Sequence, residues 1–281
     1  MMNSKDLFMD LRKQVTLAED ADELDSMVYL LLEDLIGIFR SDVMFGREVP
    51  LSVEQKSLLV DSVKRINAGE PIQYISGKAH FYGCVFQVNP TVLIPRPETE
   101  ELVREAIKKS DLTAGKVLDI GTGSGCIAIT LANHLSDKSV FAYDVSDAAL
   151  ALAAANARSL SMNVTFRKVD ILNEPIAEQD LDLIVSNPPY VTVSEKASMK
   201  NNVLEHEPHL ALFVPDNDPL IFYKAIAEKG FTVLKPGGRI MVEINEQFGN
   251  ETAEVFRKAG FEKVKIIKDL QNKDRIVSVM K

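Results

Sequence analysis

The chain has 281 residues, of which 46% are hydrophobic, so it is long enough to bury a large core and to form two domains. Its formal net charge of −9 argues against a large duplex-binding surface, because clustered lysines and arginines are what hold phosphate backbones. No apolar run approaches the ~20 residues that cross a bilayer, and the polar start lacks the regions of a signal peptide. Cys84 and Cys126 form no disulfide framework, which agrees with a reducing compartment. Together these features lead us to expect a cytoplasmic protein that does not bind membranes and does not bind nucleic acid stably.

The first 70 residues predict a small helical bundle. Apolar side chains recur at helical spacing over residues 7–17, 24–39 and 53–66. Residues 1–70 also hold 8 basic and 14 acidic side chains, a formal charge of −6. Such a surface could steer a basic macromolecular partner, or it could be a set of solvated helix faces.

A change of pattern follows at Gly69, Glu70 and Pro71, where the helical spacing ends. Residues 71–96 switch to short β-prone pieces, which predicts a β-hairpin linker with residues 81–88 at its centre. Residues 95–100 then open a helix, because proline suits the first helical turn and carboxylates there face the positive end of the helix dipole. We expect one further domain over residues 97–281.

Strands and helices alternate from residue 116 onward, which is typical of a parallel α/β sheet. The gap between the last two apolar runs is too short for a crossover helix, so the last strand is expected to be antiparallel. Residues 191–216 carry no assignment and could fold over a site. The seven predicted strands are residues 117–120, 139–143, 163–169, 181–185, 239–244, 263–267 and 276–280.

A glycine-rich turn directly follows the first of these strands. Its glycines, Gly121, Gly123 and Gly125, would let a ligand touch the backbone at the crevice of a doubly wound sheet. The third glycine of the dinucleotide fingerprint would fall at Cys126, and no GK[ST] sequence follows, so neither nicotinamide nor nucleoside triphosphate binding is indicated. Asp119 stands just before the turn, where it can meet a cationic amine such as that of S-adenosylmethionine.

Two more acidic residues end the second and third predicted strands. Asp144 lies 23 residues after Gly121, where an acid is expected to accept from two ribose hydroxyls. Asp170, or the backbone beside it at Ile171, could accept from an adenine amino group. Taken singly, each aspartate could equally be a helix N-cap or a loop acid.

The run Asn187-Pro188-Pro189-Tyr190 ends the fourth predicted strand and is suited to holding a planar NH2 group. The Asn187 side-chain carbonyl and the Pro188 backbone carbonyl can accept its two hydrogens, and Tyr190 could stack on it. An amide nitrogen is a poor nucleophile, so this grip indicates methyl transfer to nitrogen. A Pro-Pro turn ending a strand is the other interpretation. Because four successive strand ends would meet in one crevice, the binding interpretation is favoured.

Over nearly its whole length the chain resembles the release factor glutamine methyltransferases, the HemK/PrmC family. Besides NPPY, the resemblance includes residues 71–77 (PIQYISG), 92–100 (VLIPRPETE) and 205–208 (EHEP). NPPY is shared by many nitrogen methyltransferases, whereas the 92–100 segment and the helical amino-terminal domain are more specific. The chain departs from the family pattern at residues 214–218, where a glycine-rich turn is usual, and at Asn245, where glycine is common.

The resemblance implies an α/β fold: a class I S-adenosylmethionine-dependent methyltransferase with a Rossmann-like seven-stranded sheet, its last strand antiparallel, behind a small helical substrate-recognition domain. It implies methyl transfer to the side-chain amide nitrogen of the glutamine in the Gly-Gly-Gln motif of peptide chain release factors, with S-adenosylhomocysteine as product and no metal. The implied cofactor-binding residues are Asp119, Gly121, Thr122, Gly123, Ser124, Gly125, Asp144, Asp170, Ile171 and Asn187. The implied catalytic and substrate-binding residues are Asn187, Pro188, Pro189 and Tyr190.

Three other functions share some of these features. A ribosomal-protein glutamine methyltransferase would share both the chemistry and the target side chain. A DNA or RNA amino-methyltransferase would use the same NPPY chemistry, but the acidic amino-terminal segment disfavours it. A cofactor-binding module without turnover is disfavoured by the intact NPPY run.

We expect the protein to be a monomer.

Two smaller questions concern charged residues near these motifs. Arg96 could contact the cofactor or orient its loop, or it could pair with Glu98 or Glu100. The run His206, Glu207, His209 is not expected to bind a metal, because Pro208 interrupts the helical spacing of its side chains.

Overall fold

The computed structural model describes residues 3–109 and 115–281, and the chain divides into two compact units. The amino-terminal unit comprises Met1–Lys78 together with Lys200–His206, and the sheet unit comprises Ala79–Met199 together with Glu207–Lys281. Residues 200–206 therefore leave the sheet unit and return to it. This division does not test the domain boundaries that the sequence predicted at residues 70 and 96, and these boundaries stay predictions.

The amino-terminal unit is helical, as predicted. Its first two helices begin with side-chain caps: Asn3 accepts from the backbone N–H of Asp6, and Asp20 accepts from that of Glu23. Their inner faces bury Leu7, Leu11, Val28, Leu31 and Leu32, among others, in one apolar core. The helices are α1 Ser4–Gln14, α2 Ala21–Ile36, α3 Arg40–Phe45, α4 Val53–Asn67 and α5 Ile72–Ser76.

Helices α3 and α5 were not predicted, and each has a local reason. Helix α3 has six residues, only Val43 of which is buried, so it shows no helical apolar period. Helix α5 lies where the sequence predicted β-prone pieces, and that prediction was wrong for residues 72–76. Its five residues lie between Pro71 and the left-handed Gly77, and Ile72 and Ile75 are buried as one face.

The hairpin predicted around residues 81–88 is present. Strands β1 Lys78–Phe81 and β2 Cys84–Gln87 pair in a two-stranded sheet. They are joined by Tyr82 and Gly83, both with positive φ, +49° and +76°, which is the geometry of a tight two-residue hairpin turn. Helix α6 Pro97–Lys109 follows, opening at the proline as expected.

The sheet unit is built on seven strands: β3 Gly115–Ile120, β4 Lys138–Asp144, β5 Val164–Lys168, β6 Leu181–Ser186, β9 Leu234–Glu243, β10 Glu262–Lys268 and β11 Asp274–Met280. Their order in the sheet is β10-β11-β9-β6-β3-β4-β5, which confirms the predicted fold class. Strands β3, β4, β5, β6 and β9 are parallel to their neighbours in that series, and β11 is antiparallel to both β9 and β10. The remaining elements are α7 Cys126–His134, α8 Asp147–Ser159, β7 Val191–Thr192, α9 Asn201–His206, β8 Phe213–Val214, α10 Ile221–Val233 and α11 Gly249–Lys258.

Strand β3 is buried on both faces and pairs with β4 on one side and β6 on the other. Val117 belongs to the core under α7, and its neighbour Leu118 belongs to the core on the opposite face with Tyr223 and Phe256. The strand order reverses at β3, so the carboxyl ends of β3, β4 and β6 flank the crevice in which open α/β sheets bind ligands. No helix in the described ranges is long and apolar enough to span a bilayer.

We predict that Gly125→Ala destabilises the fold by about 2–4 kcal/mol, from left-handed backbone strain and overpacking. Gly125 has φ +83°, and a Cβ there would lie 2.8 Å from Ile129 Cδ1 and 3.1 Å from Ala153 Cβ. Gly123→Ala is the matched control, because Gly123 also has positive φ, +53°, but nothing lies within 4 Å of its added Cβ. Urea unfolding followed by circular dichroism should rank Gly125→Ala below Gly123→Ala; equal midpoints would contradict the packing argument.

Candidate functional site

A cavity of about 400 Å³ lies at the carboxyl edge of the sheet unit, a size that suits a small organic ligand. Its walls come from the ends of β3, β4, β5 and β6, the start of α6 and residues 208–211. Polar backbone and carboxylate groups line one part, while Val145, Ile171 and Phe222 contribute apolar surface. Of the residues predicted for the site, those lining the cavity are Gly121, Thr122, Gly123, Ser124, Asp144, Asp170, Ile171, Asn187, Pro188 and Pro189.

The glycine turn is anchored to strand β4. The backbone N–H groups of Gly121 and Thr122 both donate to the carbonyl of Tyr143 at 2.9 Å. Gly121 and Gly123 have φ values of +75° and +53°, which glycine adopts without strain. The turn therefore presents backbone without side chains at these two positions, and contact of this backbone with a ligand stays a prediction.

Asp144 is held in a fixed orientation at the end of β4. Its Oδ2 accepts from the backbone N–H of Gly123 at 2.8 Å, and its Oδ1 accepts from that of Ser146 at 2.9 Å. A carboxylate oxygen has more than one acceptor site, so both oxygens can still accept from a ligand. This arrangement suits a pair of adjacent hydroxyls.

Asp170 lines the cavity, but its carboxylate also closes a local turn. It accepts from the backbone N–H of Leu172 at 2.9 Å and from Asn173 Nδ2 at 2.7 Å. The carbonyl of Ile171 accepts from Lys229 Nζ. Asp170 is therefore a loop acid that also lines the cavity. Contact of Asp170 or Ile171 with adenine stays a prediction.

Asp119 lies behind the glycine turn. Its side chain has no exposed surface and accepts from Thr122 Oγ1 at 2.7 Å. Burial raises its pKa to about 7, and the nearby Asp144 contributes in the same direction. Asp119 is not among the cavity-lining residues, so the predicted meeting with a ligand amine stays a prediction.

Asn187 directly follows β6, close to the glycine turn: a Cβ added to Gly121 would lie 4.0 Å from the Asn187 backbone oxygen. The Asn187 Nδ2 donates to Thr99 Oγ1 at 3.1 Å, and Thr99 Oγ1 donates to Glu243 Oε2 at 2.7 Å. The Tyr190 hydroxyl donates to the other oxygen, Oε1, at 3.0 Å. These four side chains form one network, which we call the Glu243 network.

Glu243 is the buried centre of this network, with 1% of its surface exposed. Burial raises its pKa, whereas the hydroxyls of Thr99 and Tyr190 and the charge of Arg275 favour the ionised form. Tyr190 is not among the cavity-lining residues, so its predicted stacking role stays a prediction.

Sequence reasoning missed Thr99 and Glu243 as functional candidates. A usable signal was present for Glu243, which ends an apolar strand as Asp144 does. Thr99 stood inside the 92–100 segment that carried the family resemblance, but its partner lies 144 residues away.

Arg96 pairs with Glu207, which is not one of the two partners that the sequence suggested, Glu98 and Glu100. Only 1% of the Glu207 side chain is exposed, and its Oε2 also accepts from the backbone N–H of Ile94 at 3.3 Å. The salt bridge joins the segment before α6 to the segment before residue 208, and Arg96 and Pro208 both line the cavity. Within residues 3–109 and 115–281, no group of three or more His, Cys, Asp and Glu side chains could hold a metal ion.

Asn245, which replaces a glycine common in the family, fastens the segment after NPPY. Its Nδ2 donates to Glu195 Oε1 at 3.2 Å and to the Tyr190 carbonyl at 3.4 Å. Its Oδ1 accepts from the backbone N–H of Gln247 at 3.0 Å. This asparagine therefore makes contacts that a glycine could not make.

Comparison with known proteins gives two family matches: the PrmC N-terminal domain over residues 6–77 and the methyltransferase small domain over residues 98–210. A solved methyltransferase from Pyrococcus furiosus is similar in fold, with a TM-score of 0.52, 20% identity, and coverage of 82% of this chain and 98% of that chain.

Two curated relatives are similar along most of the sequence. The release factor glutamine methyltransferase of Bacteroides thetaiotaomicron is 46% identical over 258 residues, covering 92% of each chain. That of Flavobacterium psychrophilum is 45% identical over 264 residues, covering 92% of this chain and 93% of its own. With this identity over this length, the chain belongs to the family of release factor glutamine methyltransferases.

Proposed function

We propose that this protein transfers a methyl group from S-adenosylmethionine to the side-chain amide nitrogen of the glutamine in the Gly-Gly-Gln motif of peptide chain release factors. The observation that carries the proposal is the fixed Asn187 amide beside the glycine turn, in a cavity at the carboxyl edge of the sheet. The names of the 46% and 45% identical relatives support the same substrate.

The residues present fit the cofactor. Gly121 and Gly123 leave the turn free of side chains where a ligand would approach the backbone, and the fixed Asp144 carboxylate suits the two hydroxyls of a ribose. Asp119 would favour a cationic amine when ionised. When bound, S-adenosylmethionine supplies the electrophilic methyl group on its sulfonium.

The protein's own part is to bind and orient the substrate amide. The Asn187 side-chain oxygen and the Pro188 backbone carbonyl would accept the two amide hydrogens and so aim the nitrogen lone pair into the cavity. Positioning of this kind can contribute roughly 7–11 kcal/mol to lowering a barrier. As the nitrogen becomes tetrahedral, the same oxygens stabilise the charge that grows on its hydrogens. The resulting cationic amide is strongly acidic, so it can lose its proton to water without a dedicated base.

The experiment that tests the substrate uses the purified full chain and isotopically labelled S-adenosylmethionine. A release factor, a ribosomal-protein mixture and duplex DNA are offered separately, and the labelled peptide is mapped by mass spectrometry. Label on the Gly-Gly-Gln glutamine is expected. Label only on ribosomal proteins or only on DNA would replace the proposal with one of those activities.

Replacing the key asparagine should remove turnover and leave cofactor binding largely intact. We predict that Asn187→Ala lowers kcat by about 100-fold, on the scale of a lost preorganised partner. Asn163→Ala, at an exposed asparagine before β5, is the control. Turnover is measured on the release factor and cofactor affinity by calorimetry; wild-type turnover in Asn187→Ala would remove this residue from the mechanism.

The pH dependence of cofactor binding tests Asp119. Because its pKa is raised to about 7, the carboxyl gains its charge as the pH rises through neutrality, whereas Asp119→Asn cannot ionise. We predict that the dissociation constant of the variant, divided by that of the wild type, rises about threefold between about pH 6 and pH 7.5, as a weak charge pair would give. The titration of the cofactor amine affects both proteins and cancels in this ratio. A constant ratio would mean that Asp119 does not act on the cofactor charge.

A further inference from the structure

We propose that Thr99 and Glu243 are positioning residues that determine which side of the Asn187 side-chain amide faces the substrate. The inference rests on the proposed function, since it concerns how a glutamine carboxamide is recognised. Neither residue is required to touch the reacting atoms; they act through Asn187.

Glu243 determines which group donates in each hydrogen bond between it, Thr99 and Asn187. In its ionised form the Glu243 carboxylate only accepts, and the Thr99 hydroxyl, 2.7 Å from Oε2, then donates its single hydrogen to it. Thr99 Oγ1 then has only lone pairs left for its second neighbour. Asn187 must therefore turn its NH2 group toward Thr99, as the 3.1 Å contact from Nδ2 shows.

This direction decides what Asn187 offers to the cavity. The two ends of a side-chain amide differ little in shape, and a half-turn about its last torsion exchanges the oxygen and the nitrogen. With NH2 committed to Thr99, the free end is the carbonyl oxygen, which is the acceptor that a substrate NH2 group needs. In the turned orientation, Asn187 would place donors against donors and the substrate amide would be rejected.

The surroundings hold both positioning residues in place. Thr99 lies in the first turn of α6 with 2% of its surface exposed, and Glu243 ends β9. The second carboxylate oxygen of Glu243 accepts from Tyr190, and the Glu243 backbone carbonyl accepts from the Tyr223 hydroxyl at 3.0 Å. Glu243 is thus fixed at its side chain and its backbone, and Thr99 can meet it in one geometry.

The test uses three variants of the full chain at about pH 8, because a higher pH shifts Glu243 toward its ionised, acceptor-only form. Thr99→Val keeps the shape but deletes the hydroxyl, and Thr99→Ser restores it. Thr252→Val is the matched control, because Thr252 is also fully buried and its hydroxyl has no hydrogen-bond partner in the described structure. Turnover is measured on a release factor, and dissociation constants are measured for that factor and for one whose target glutamine is replaced by glutamate.

We expect Thr99→Val to lower kcat about tenfold, with cofactor affinity unchanged, since one hydrogen bond that fixes orientation is lost. Its preference for the glutamine form of the release factor, measured as the dissociation constant of the glutamate form divided by that of the glutamine form, should also fall about tenfold. The reason is that a turned Asn187 can donate to a carboxylate. Thr99→Ser should recover most of both losses, and Thr252→Val should behave as the wild type.

Equal behaviour of Thr99→Val and Thr252→Val would overturn the proposal. So would a loss of turnover in Thr99→Val with an unchanged glutamine-to-glutamate preference, because a merely structural role would give that result. If the wild type methylates no release factor, the proposed function fails first, and this inference fails with it. Methylation by the wild type with no change of preference in Thr99→Val would reject the positioning role alone.

Discussion

Parallel strands of one sheet end at a common edge, and the whole candidate site depends on this constraint. The ends of β3, β4 and β6 place the glycine turn, Asp144 and Asn187 around one cavity, although 66 residues separate Gly121 from Asn187. Strand β9 pairs beside β6 and brings Glu243 to the same edge. The buried apolar runs that make these strands thus also determine which polar residues can meet.

The sequence predicted the parts of the site that follow directly from this edge. Asp144 and Asn187 each come immediately after an apolar run, so their positions could be inferred without knowing any distance. The Glu243 network could not be inferred in this way, because the hydrogen bond from Thr99 joins a helix start to a strand end 144 residues later. The partner of Arg96 was missed for the same reason: Glu207 lies 111 residues away, while Glu98 and Glu100 are neighbours in sequence.

The fold, like the site, could be predicted only where the apolar pattern of the sequence is clear. Elements with a clear apolar signal lie close to where the sequence placed them: α2 has 16 residues with a helical period, and β6 is a nearly continuous apolar run. The short helices α3 and α5 were missed because five or six residues are too few to show a period, and their ends depend on left-handed glycines, Gly46 and Gly77. The sequence marked Asn245 only as a departure from the family pattern, whereas the structure gives its side chain three hydrogen-bond partners.

The route of the chain between the two units has a consequence for how the protein can be divided. Residues 200–206 belong to the amino-terminal unit, where Lys200 Nζ lies 3.0 Å from Glu19 Oε2, yet their flanking segments belong to the sheet unit. The polypeptide therefore crosses from one unit to the other three times. A fragment that starts after residue 78 would carry residues 200–206 without the rest of the unit to which they belong. Deleting the amino-terminal helices is thus not a clean domain removal, and a loss of activity in such a fragment would not by itself report on substrate recognition.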